Sequence, residues 1–224
     1  MSIEKKCNIA NWILGNIICT LGIALLTKSD FGLSTISALP YIIHVWLRDT
    51  FVWFTQGTSE YIVEALVLAI GCIIIKKFKL SYLLAFAEAV FVGFIIDGWF
   101  LIFGGNGPYE TLPMRIIAFI IGMLACGLGV AFYFRTTWPV QTYDIVVVKI
   151  IETYNLPQKK VKQINDLIYL ALDLILSITL IHSLKGIGFA TIVIAFANAT
   201  IIDTWGKYID RVENKLKGNE KISN

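Results

Sequence analysis

Acidic side chains lie within runs of apolar residues at several points of this sequence. Their presence among apolar residues is the first feature that needs an explanation. Glu64, Glu88, Asp97 and Asp173 lie within such runs, and Asp203 lies near the end of another. A charged side chain at the centre of a bilayer costs about 2.5–3.5 kcal/mol on insertion scales. Because Glu88 and Asp173 have no evident basic neighbour in their own runs, we expect each to carry a proton or to face water or a cation. Both arrangements suit a transport pathway.

Two of these acids occur in a repeated pattern. Ile-Ile-Asp-x-Trp stands at residues 95–99 and again at residues 201–205. Asp97 and Asp203 could lie at the membrane boundary beside an interfacial tryptophan, or on a polar pathway or cation site between two halves. Since the neighbouring positions differ between the copies while the acid and the tryptophan are retained, we expect the two aspartates to behave as a functional pair.

Two short polar stretches offer a second kind of chemistry. They cover residues 33–47 and 140–154, and both are too short and too polar to be confident membrane spans. Transporters often bind substrates where helices are interrupted, because free helix ends and unwound backbone replace water there. Ordinary polar loops are the alternative interpretation. The candidate pathway residues in and beside these stretches are Ser34, Thr35, Ser37, Pro40, Pro139, Gln141, Thr142 and Asp144.

The elements that must position these residues are apolar helices. Of the 224 residues, 57% are hydrophobic and 16% are charged, whereas an ordinary globular chain has about 25% charged residues. A helix of about 20 apolar residues crosses the hydrocarbon layer. The sequence therefore predicts an all-α membrane domain over residues 1–224. Its apolar runs are Asn8 to Thr27, Ser59 to Ile75, Leu80 to Phe103, Pro113 to Phe134, Asn165 to Leu184 and Ile187 to Trp205.

The chain also repeats itself. A shift of about 107 residues aligns ILGNIICTLGIA at 13–24 with IIGMLACGLGVA at 120–131. Two duplicated halves, residues 8–103 and 113–206, are the simplest account. The shared Gly-x3-Cys-x2-Gly places small residues on one helix face, which predicts a close helix–helix contact.

The short stretches decide the topology. If both are re-entrant or interfacial, each half has three spans, six in total, and the halves are inverted; if both cross, there are eight spans and parallel halves. Lys and Arg concentrate on the cytoplasmic side. With six spans and both termini cytoplasmic, residues 207–224 form a basic cytoplasmic tail, and only Lys28, Arg48, Arg115 and Lys185 of the 19 basic residues lie outside. This asymmetry favours six spans.

Several classes of function lack support in the sequence. The four cysteines have no metal-ligand spacing, His44 and His182 have no Cys or His partner, and no phosphate loop or catalytic triad is recognisable. Basic residues cluster at helix ends and do not form a nucleic-acid stripe. We therefore expect no enzymatic activity, catalytic residue, cofactor, metal or nucleic-acid partner. Glu60 shares a helix face with Glu64, which a polar bundle interior explains.

Several motifs resemble those of a known family. In the first half these are FGLSTISALPY at 31–41, Gln-Gly-Thr at 56–58 and VGFIID at 92–97. Similar stretches in the second half lie at 138–144, at 161–166 and at 185–191. The chain thus resembles the YczE/YyaS/YitT-type bacterial integral membrane proteins over nearly its whole length. The resemblance implies a bacterial inner-membrane protein of poorly defined function and supplies no substrate.

Together these patterns predict a multi-pass inner-membrane protein that moves a small solute or ion by alternating access between its two halves. The alternative is a membrane assembly partner or sensor that does not transport. The expected partners of this protein are the lipid bilayer and an unknown small solute or cation, and a homodimer is compatible with the sequence.

Overall fold

The computed structural model of this chain describes residues 3–76, 81–138, 143, 150–151, 153–156 and 158–223. Every regular element within these residues is a helix, as the sequence predicted. The helices are α1 (Ile3–Ser29), α2 (Thr35–Leu47), α3 (Gln56–Ile75), α4 (Ser81–Ile102), α5 (Leu112–Tyr133), α6 (Gln158–Leu176) and α7 (Phe189–Ser223). A π-helical turn, Ser177–Ile181, continues α6.

Five of these helices, α1, α3, α4, α5 and α7, have the length and apolar composition needed to cross a bilayer. Their outward faces carry large apolar side chains, among them Ile73 at 75% exposure, Phe94 at 71% and Phe196 at 83%. Water would disfavour such a surface, whereas lipid accommodates it. The chain is therefore a helical membrane protein. The shorter apolar helices are Thr35–Leu47 and Leu167–Ile181.

Hydrogen bonds between helix ends give the direction of each helix. Lys28, late in α1, donates from Nζ to the carbonyl of Phe103, which follows α4. Asn11, early in α1, donates from Nδ2 to the carbonyl of Arg135, which follows α5. Thus α1 and α4 run in one direction and α5 runs in the other. We name the two ends of the bundle the Asp30 end and the Arg135 end.

The remaining long helices fit the same two ends. Gly57, at the start of α3, donates its N–H to Asp97 near the end of α4. The turn at residues 30–31 is contacted by Lys185, which follows α6, and by Ala190, which begins α7. Accordingly α3 and α7 begin at the Asp30 end, and α6 finishes there.

The short helix α2 begins and ends at the Asp30 end. Leu33, just before it, donates its N–H to the carbonyl of Gly186 at 2.8 Å. His44, in its last turn, lies 2.9 Å from the carbonyl of Phe54, in the loop before α3. Between these points α2 packs against both α3 and α6. The chain therefore leaves α2 at the end from which it entered.

The repeated Gly-x3-Cys-x2-Gly motif forms the contact between α1 and α5. A methyl group on Gly22 would lie 2.5 Å from the backbone nitrogen of Cys126, and one on Gly129 would lie 2.5 Å from that of Cys19. Small residues thus let the two backbones touch, which is how helices associate closely in lipid. The helix–helix contact predicted from the motif is confirmed, and its two copies pack against each other.

At each end of the bundle, a residue near the start of α1 or α5 contacts a residue just after the end of the other helix. Arg115, before α5 has completed its first turn, donates to Asp30 Oδ2 at 3.1 Å. Asn8, early in α1, donates from Nδ2 to Thr137 Oγ1 at 2.7 Å. Under the offset that aligns the two motif copies, Asn8 corresponds to Arg115 and Asp30 corresponds to Thr137. The two pairs therefore occupy positions that correspond to each other under this offset.

The last helix extends farther than its apolar run. The run was predicted to end at Trp205, but α7 continues through Ser223. Residues 207–216 contain no proline or glycine, and Lys207 pairs with Asp203 one turn earlier at 2.6 Å. Such sequences continue a helix after it leaves the apolar layer. The predicted basic tail is therefore a helical extension over 207–223.

Candidate functional site

Three glutamates from neighbouring helices lie inside the bundle. Glu60 and Glu64 occupy successive turns of α3 and are 1% and 0% exposed, and Glu88 on α4 is 3% exposed. They are close enough to interact electrostatically with one another. Residues four apart share a helix face, and the contact between Gly57 and Gly93 brings that face of α3 against α4. We call Glu60, Glu64 and Glu88 the acidic cluster.

The seam between α1 and α5 supplies a polar wall for the acidic cluster. Tyr133 Oη donates to Asn16 Oδ1 at 3.1 Å, and both side chains are buried. Cys19 and Tyr133 interact electrostatically with Glu88. The acidic cluster therefore faces the contact between the two repeated helices, at the centre of the bundle.

One residue of the second short stretch reaches the same region. Tyr143 is 2% exposed, and its hydroxyl interacts electrostatically with the acidic cluster and with Asp173 of α6. Its ring packs edge-on against Tyr169 at a centroid distance of 5.8 Å, and it belongs to one hydrophobic cluster with Leu39 of α2. The two stretches that the sequence selected as a candidate site thus each contribute a residue to this cluster, Leu39 and Tyr143.

Several polar atoms in this region have no hydrogen-bond partner within the described part of the chain. They are Glu60 Oε2, both carboxyl oxygens of Glu88, both of Asp173, and the Tyr143 hydroxyl. A buried polar group without a partner costs about 1–3 kcal/mol, and a charged one costs more. A buried group of this kind is stabilised by a proton, an ion, a ligand or a partner from another part of the chain.

The polar residues of the first short stretch begin α2. Ser34 is the N-cap, and its Oγ accepts the Ser37 N–H at 3.4 Å and donates to Ser37 Oγ at 3.0 Å. Thr35 is the first helical residue. Pro40, inside α2, presents its carbonyl to Ser59 Oγ, which donates to it at 2.6 Å. These residues therefore cap α2 and attach it to α3 at Ser59, the residue immediately before Glu60.

Asp97 holds the start of α3. Its Oδ2 accepts from Thr55 Oγ1 at 2.6 Å, and its Oδ1 accepts from the Gly57 N–H at 3.0 Å. The first N–H groups of a helix have no partner within the helix, and a carboxylate there also interacts favourably with the helix dipole. Asp97 thus satisfies the free end of α3 from the neighbouring helix.

Asp203 has different surroundings. Its side chain is 63% exposed and pairs with Lys207 on the same helix at 2.6 Å. It lies toward the Arg135 end of α7, whereas Asp97 lies near the Asp30 end of α4. The structure therefore does not bring the two repeated aspartates together. Four other candidates, Pro139, Gln141, Thr142 and Asp144, lie outside the described residues.

The Asp30 end is closed by ionic and polar contacts. Asp30 pairs with Arg115 at 3.1 Å and with Lys185 at 3.8 Å. Arg115 also donates from Nε to the carbonyl of Ser29 at 2.7 Å. Lys28 is 5% exposed, and its ammonium lies 4.7 Å from the ring centroid of Tyr109. These contacts join the first half of the chain to the second.

His44 completes the closure of this end. The amide nitrogen of Asn106 donates to its Nε2, so the ring proton lies on Nδ1 and is donated to the Phe54 carbonyl at 2.9 Å. Burial lowers the pKa of His44 below its ordinary value of 6.5. The neutral ring is thus the form that fits between the loops before α3 and before α5.

The Arg135 end has its own closing contacts. Arg135 donates to both carboxyl oxygens of Asp210, at 2.6 and 2.7 Å. These hydrogen bonds raise the pKa of Arg135 above its ordinary value, so the guanidinium remains charged. Asn11 adds a 2.7 Å hydrogen bond to Glu213. Both ends of the bundle are therefore held by polar contacts, with the acidic cluster between them.

Sequence reasoning missed part of this site. Glu60 was interpreted only as part of a polar interior, although its i,i+4 spacing to Glu64 was the available signal. Tyr143 lay inside a candidate stretch and was not selected. Asn16 and Tyr133 gave no signal, because their proximity depends on how α1 packs against α5.

The chemistry open to this arrangement is binding and movement of positive charge. Within the described residues, no group of three His, Cys, Asp or Glu side chains has the geometry to hold a metal ion. A small cavity of about 10 Å³ lies beside α2 at the Asp30 end, room for about one water, and is lined by Thr27, Asp30, Gly32 and Tyr41 among others. A groove of about 310 Å³ on the outer surface is lined by apolar residues, including Phe31, Phe119 and Phe189.

Comparison with known proteins supports the resemblance seen in the sequence. Residues 6–207 match a family described as a family of unknown function, DUF6198. The uncharacterized protein YyaS of Bacillus subtilis (strain 168) is 30% identical over 123 residues, which are 55% of this chain and 58% of YyaS. The chain thus spans little more than half the length of this relative. No solved structure matches the chain significantly.

Proposed function

We propose that this chain, which belongs to the DUF6198 family of unknown function, is a transporter of a small solute or ion. It works by alternating access between two inverted halves. The proposal is carried by one observation: carboxylates buried in the middle of the bundle lie between two sets of closing contacts that occupy equivalent positions. Asn8–Thr137 at one end corresponds to Arg115–Asp30 at the other. A transporter needs a closure on each side of its site, and inverted halves supply two related ones.

The topology that we infer has six spans. The long helices alternate in direction, α6 with its π-helical turn crosses as the fifth span, and α2 returns to its own end. Contacts across the α1–α5 seam agree with inversion, since Gly22 lies against Cys126 as Gly129 lies against Cys19. Both termini then lie on one side. The excess of Lys and Arg assigns that side, the Arg135 end, to the cytoplasm of a bacterium.

Alternating access predicts that the two ends open in opposition. We would attach spin labels to cysteines in pairs, Thr50 with Leu184 at the Asp30 end and Lys6 with Lys207 at the Arg135 end. The four native cysteines would first be replaced. In Asp30→Asn, the loss of the pairs with Arg115 and Lys185 should lengthen the first distance and shorten the second, as measured by pulsed electron paramagnetic resonance.

The matched control is Asp49→Asn. Asp49 pairs with Arg48 at the same end, but its side chain is 86% exposed and takes no part in the contacts between halves. Its distances should equal those of the unmodified protein. If both distances stay the same in Asp30→Asn and in lipid at every pH tested, the transporter proposal fails, and a membrane assembly partner or sensor becomes the better interpretation.

A further inference from the structure

Buried carboxylates next to one another need positive charge close by. Glu60 and Glu88 are at most 3% exposed and interact electrostatically. Two like charges at such a site cannot both persist in a low-dielectric interior without a counterion. In the described part of the chain, the ion pairs lie at the ends of the bundle and none reaches Glu60 or Glu88.

The geometry distinguishes between possible counterions. Within the described residues, the carboxylates do not form a group of three acidic side chains with the geometry to hold a metal ion. The two cavities described above are lined by other residues. A proton needs no coordination shell and no cavity.

A second observation points to the same ligand. Tyr143 is 2% exposed, and its hydroxyl has no hydrogen-bond partner among the described residues and interacts electrostatically with the two α3 glutamates and with Asp173. A hydroxyl both donates and accepts, so it is suited to pass a proton between carboxyl groups on either side. It links α3 to α6, which belong to different halves of the chain.

We propose that Glu60, Glu64 and Glu88, with Tyr143 and Asp173, form a proton-binding relay at the centre of the membrane. This inference rests on the proposed function, for which it names the coupling ion. The titratable side chains that face the relay from the packed helices are Cys19, Tyr133 and Tyr169, and Cys126 lies next to Tyr133. Protons enter when one end opens and leave when the other opens, so transport of the solute is coupled to proton movement.

The test measures protonation directly, without any transport assay. Infrared difference spectra of the whole protein in detergent would be recorded from about pH 4 to about pH 10, which spans free carboxyl and phenol groups. We expect a carbonyl band of protonated carboxyl groups that disappears as the pH rises and is reduced in Glu60→Gln and in Glu88→Gln. Tyr143→Phe should shift this band without removing it. Glu110→Gln, an exposed position outside the bundle, is the control.

Two outcomes would overturn the relay. One is the absence of a protonated-carboxyl band at neutral pH, and the other is a band that both glutamine variants and Tyr143→Phe leave unchanged. Circular dichroism identifies variants that have lost their helices. If a glutamine variant does not fold, Tyr143→Phe still tests the relay, because it keeps the ring and removes only the hydroxyl. A protein that shows the band but does not alternate would retain the relay while the proposed function fails, so the two failures are distinguishable.

Discussion

Gly22 of α1 lies so close to Cys126 of α5 that its α-carbon has no room for a methyl group, which would stand 2.5 Å from the Cys126 nitrogen and from its sulfur. Because both neighbouring atoms belong to a packed helix, Gly22→Ala must separate α1 from α5. Overpacking of this kind costs about 1–3 kcal/mol. We expect a lower melting temperature in detergent, followed by circular dichroism.

The chain provides a matched control for this substitution. Gly98 also lies within a helix, but nothing comes within 4 Å of a methyl group placed on it. Gly98→Ala should therefore leave the melting temperature unchanged or raise it slightly, because alanine favours a helix over glycine by up to about 1 kcal/mol. Equal destabilisation by both substitutions would show that the α1–α5 seam is not the tight contact described.

The six-span topology predicts which loops share a side of the membrane. Single cysteines at Thr50 and Glu110, both exposed, should react with an impermeant maleimide from outside intact cells, whereas one at Asn155 should react only after the membrane is opened. All three would be placed in a chain without its native cysteines. Eight spans would put positions 50 and 155 both inside, so the absence of labelling at both positions in intact cells contradicts inversion.

The repeated aspartates should differ in their effect on stability. Asp97→Ala removes two hydrogen bonds to the start of α3, each worth about 1.5–3 kcal/mol when the acceptor is charged, and should lower the melting temperature clearly. Asp203→Ala removes only an exposed pair with Lys207 and should change it little. Similar losses in the two variants would mean that the duplication preserves a shared structural role at both positions.

His44 predicts a dependence of stability on pH. Its pKa is lowered in the folded protein, so below about pH 6.5 the unfolded chain binds a proton more readily than the folded chain does. The contribution of the neutral ring to the free energy of unfolding is fully present above this pH. As the pH falls below it, this contribution decreases by at most about 1.4 kcal/mol for each pH unit, until the folded ring also binds a proton. Denaturation in urea at about pH 7 and about pH 5 should show a smaller decrease for His44→Gln than for the unmodified protein.

The second histidine serves as the reference for this measurement. His182 is exposed at the turn after α6, and His182→Gln should follow the pH dependence of the unmodified protein. If His44→Gln instead loses as much stability on acidification as the unmodified protein, the hydrogen bonds of His44 to Phe54 and Asn106 do not depend on its protonation.

The helices were predictable because their cause is local. An apolar run of about 20 residues folds as a helix in lipid whatever it packs against. The predicted run Pro113 to Phe134 differs from α5 by one residue at each end. The contact between the two glycine motifs was also predictable, since small residues at spacings of three and four have few other uses on a membrane helix.

The site was only partly predictable because its members meet through packing. Glu64, Glu88 and Asp173 were selected by the cost of a charge in lipid, and that argument needs no knowledge of neighbours. The same argument selected Asp97 and Asp203 but could not tell that one caps a neighbouring helix and the other is exposed. Tyr143 enters the site because its ring packs against Tyr169 of α6, which no pattern along the chain encodes.

The continuation of α7 has a mechanical consequence. Its 35 residues form a rod about 52 Å long, whereas the hydrocarbon layer is about 30 Å thick, so about 20 Å project beyond the membrane at the Arg135 end. Arg135 contacts this rod at Asp210, close to where it emerges. If the rod tilts by about 10° about its far end, its tip moves by about 9 Å. A rearrangement of a few ångströms within the bundle would thus be magnified into a displacement large enough for another molecule to sense.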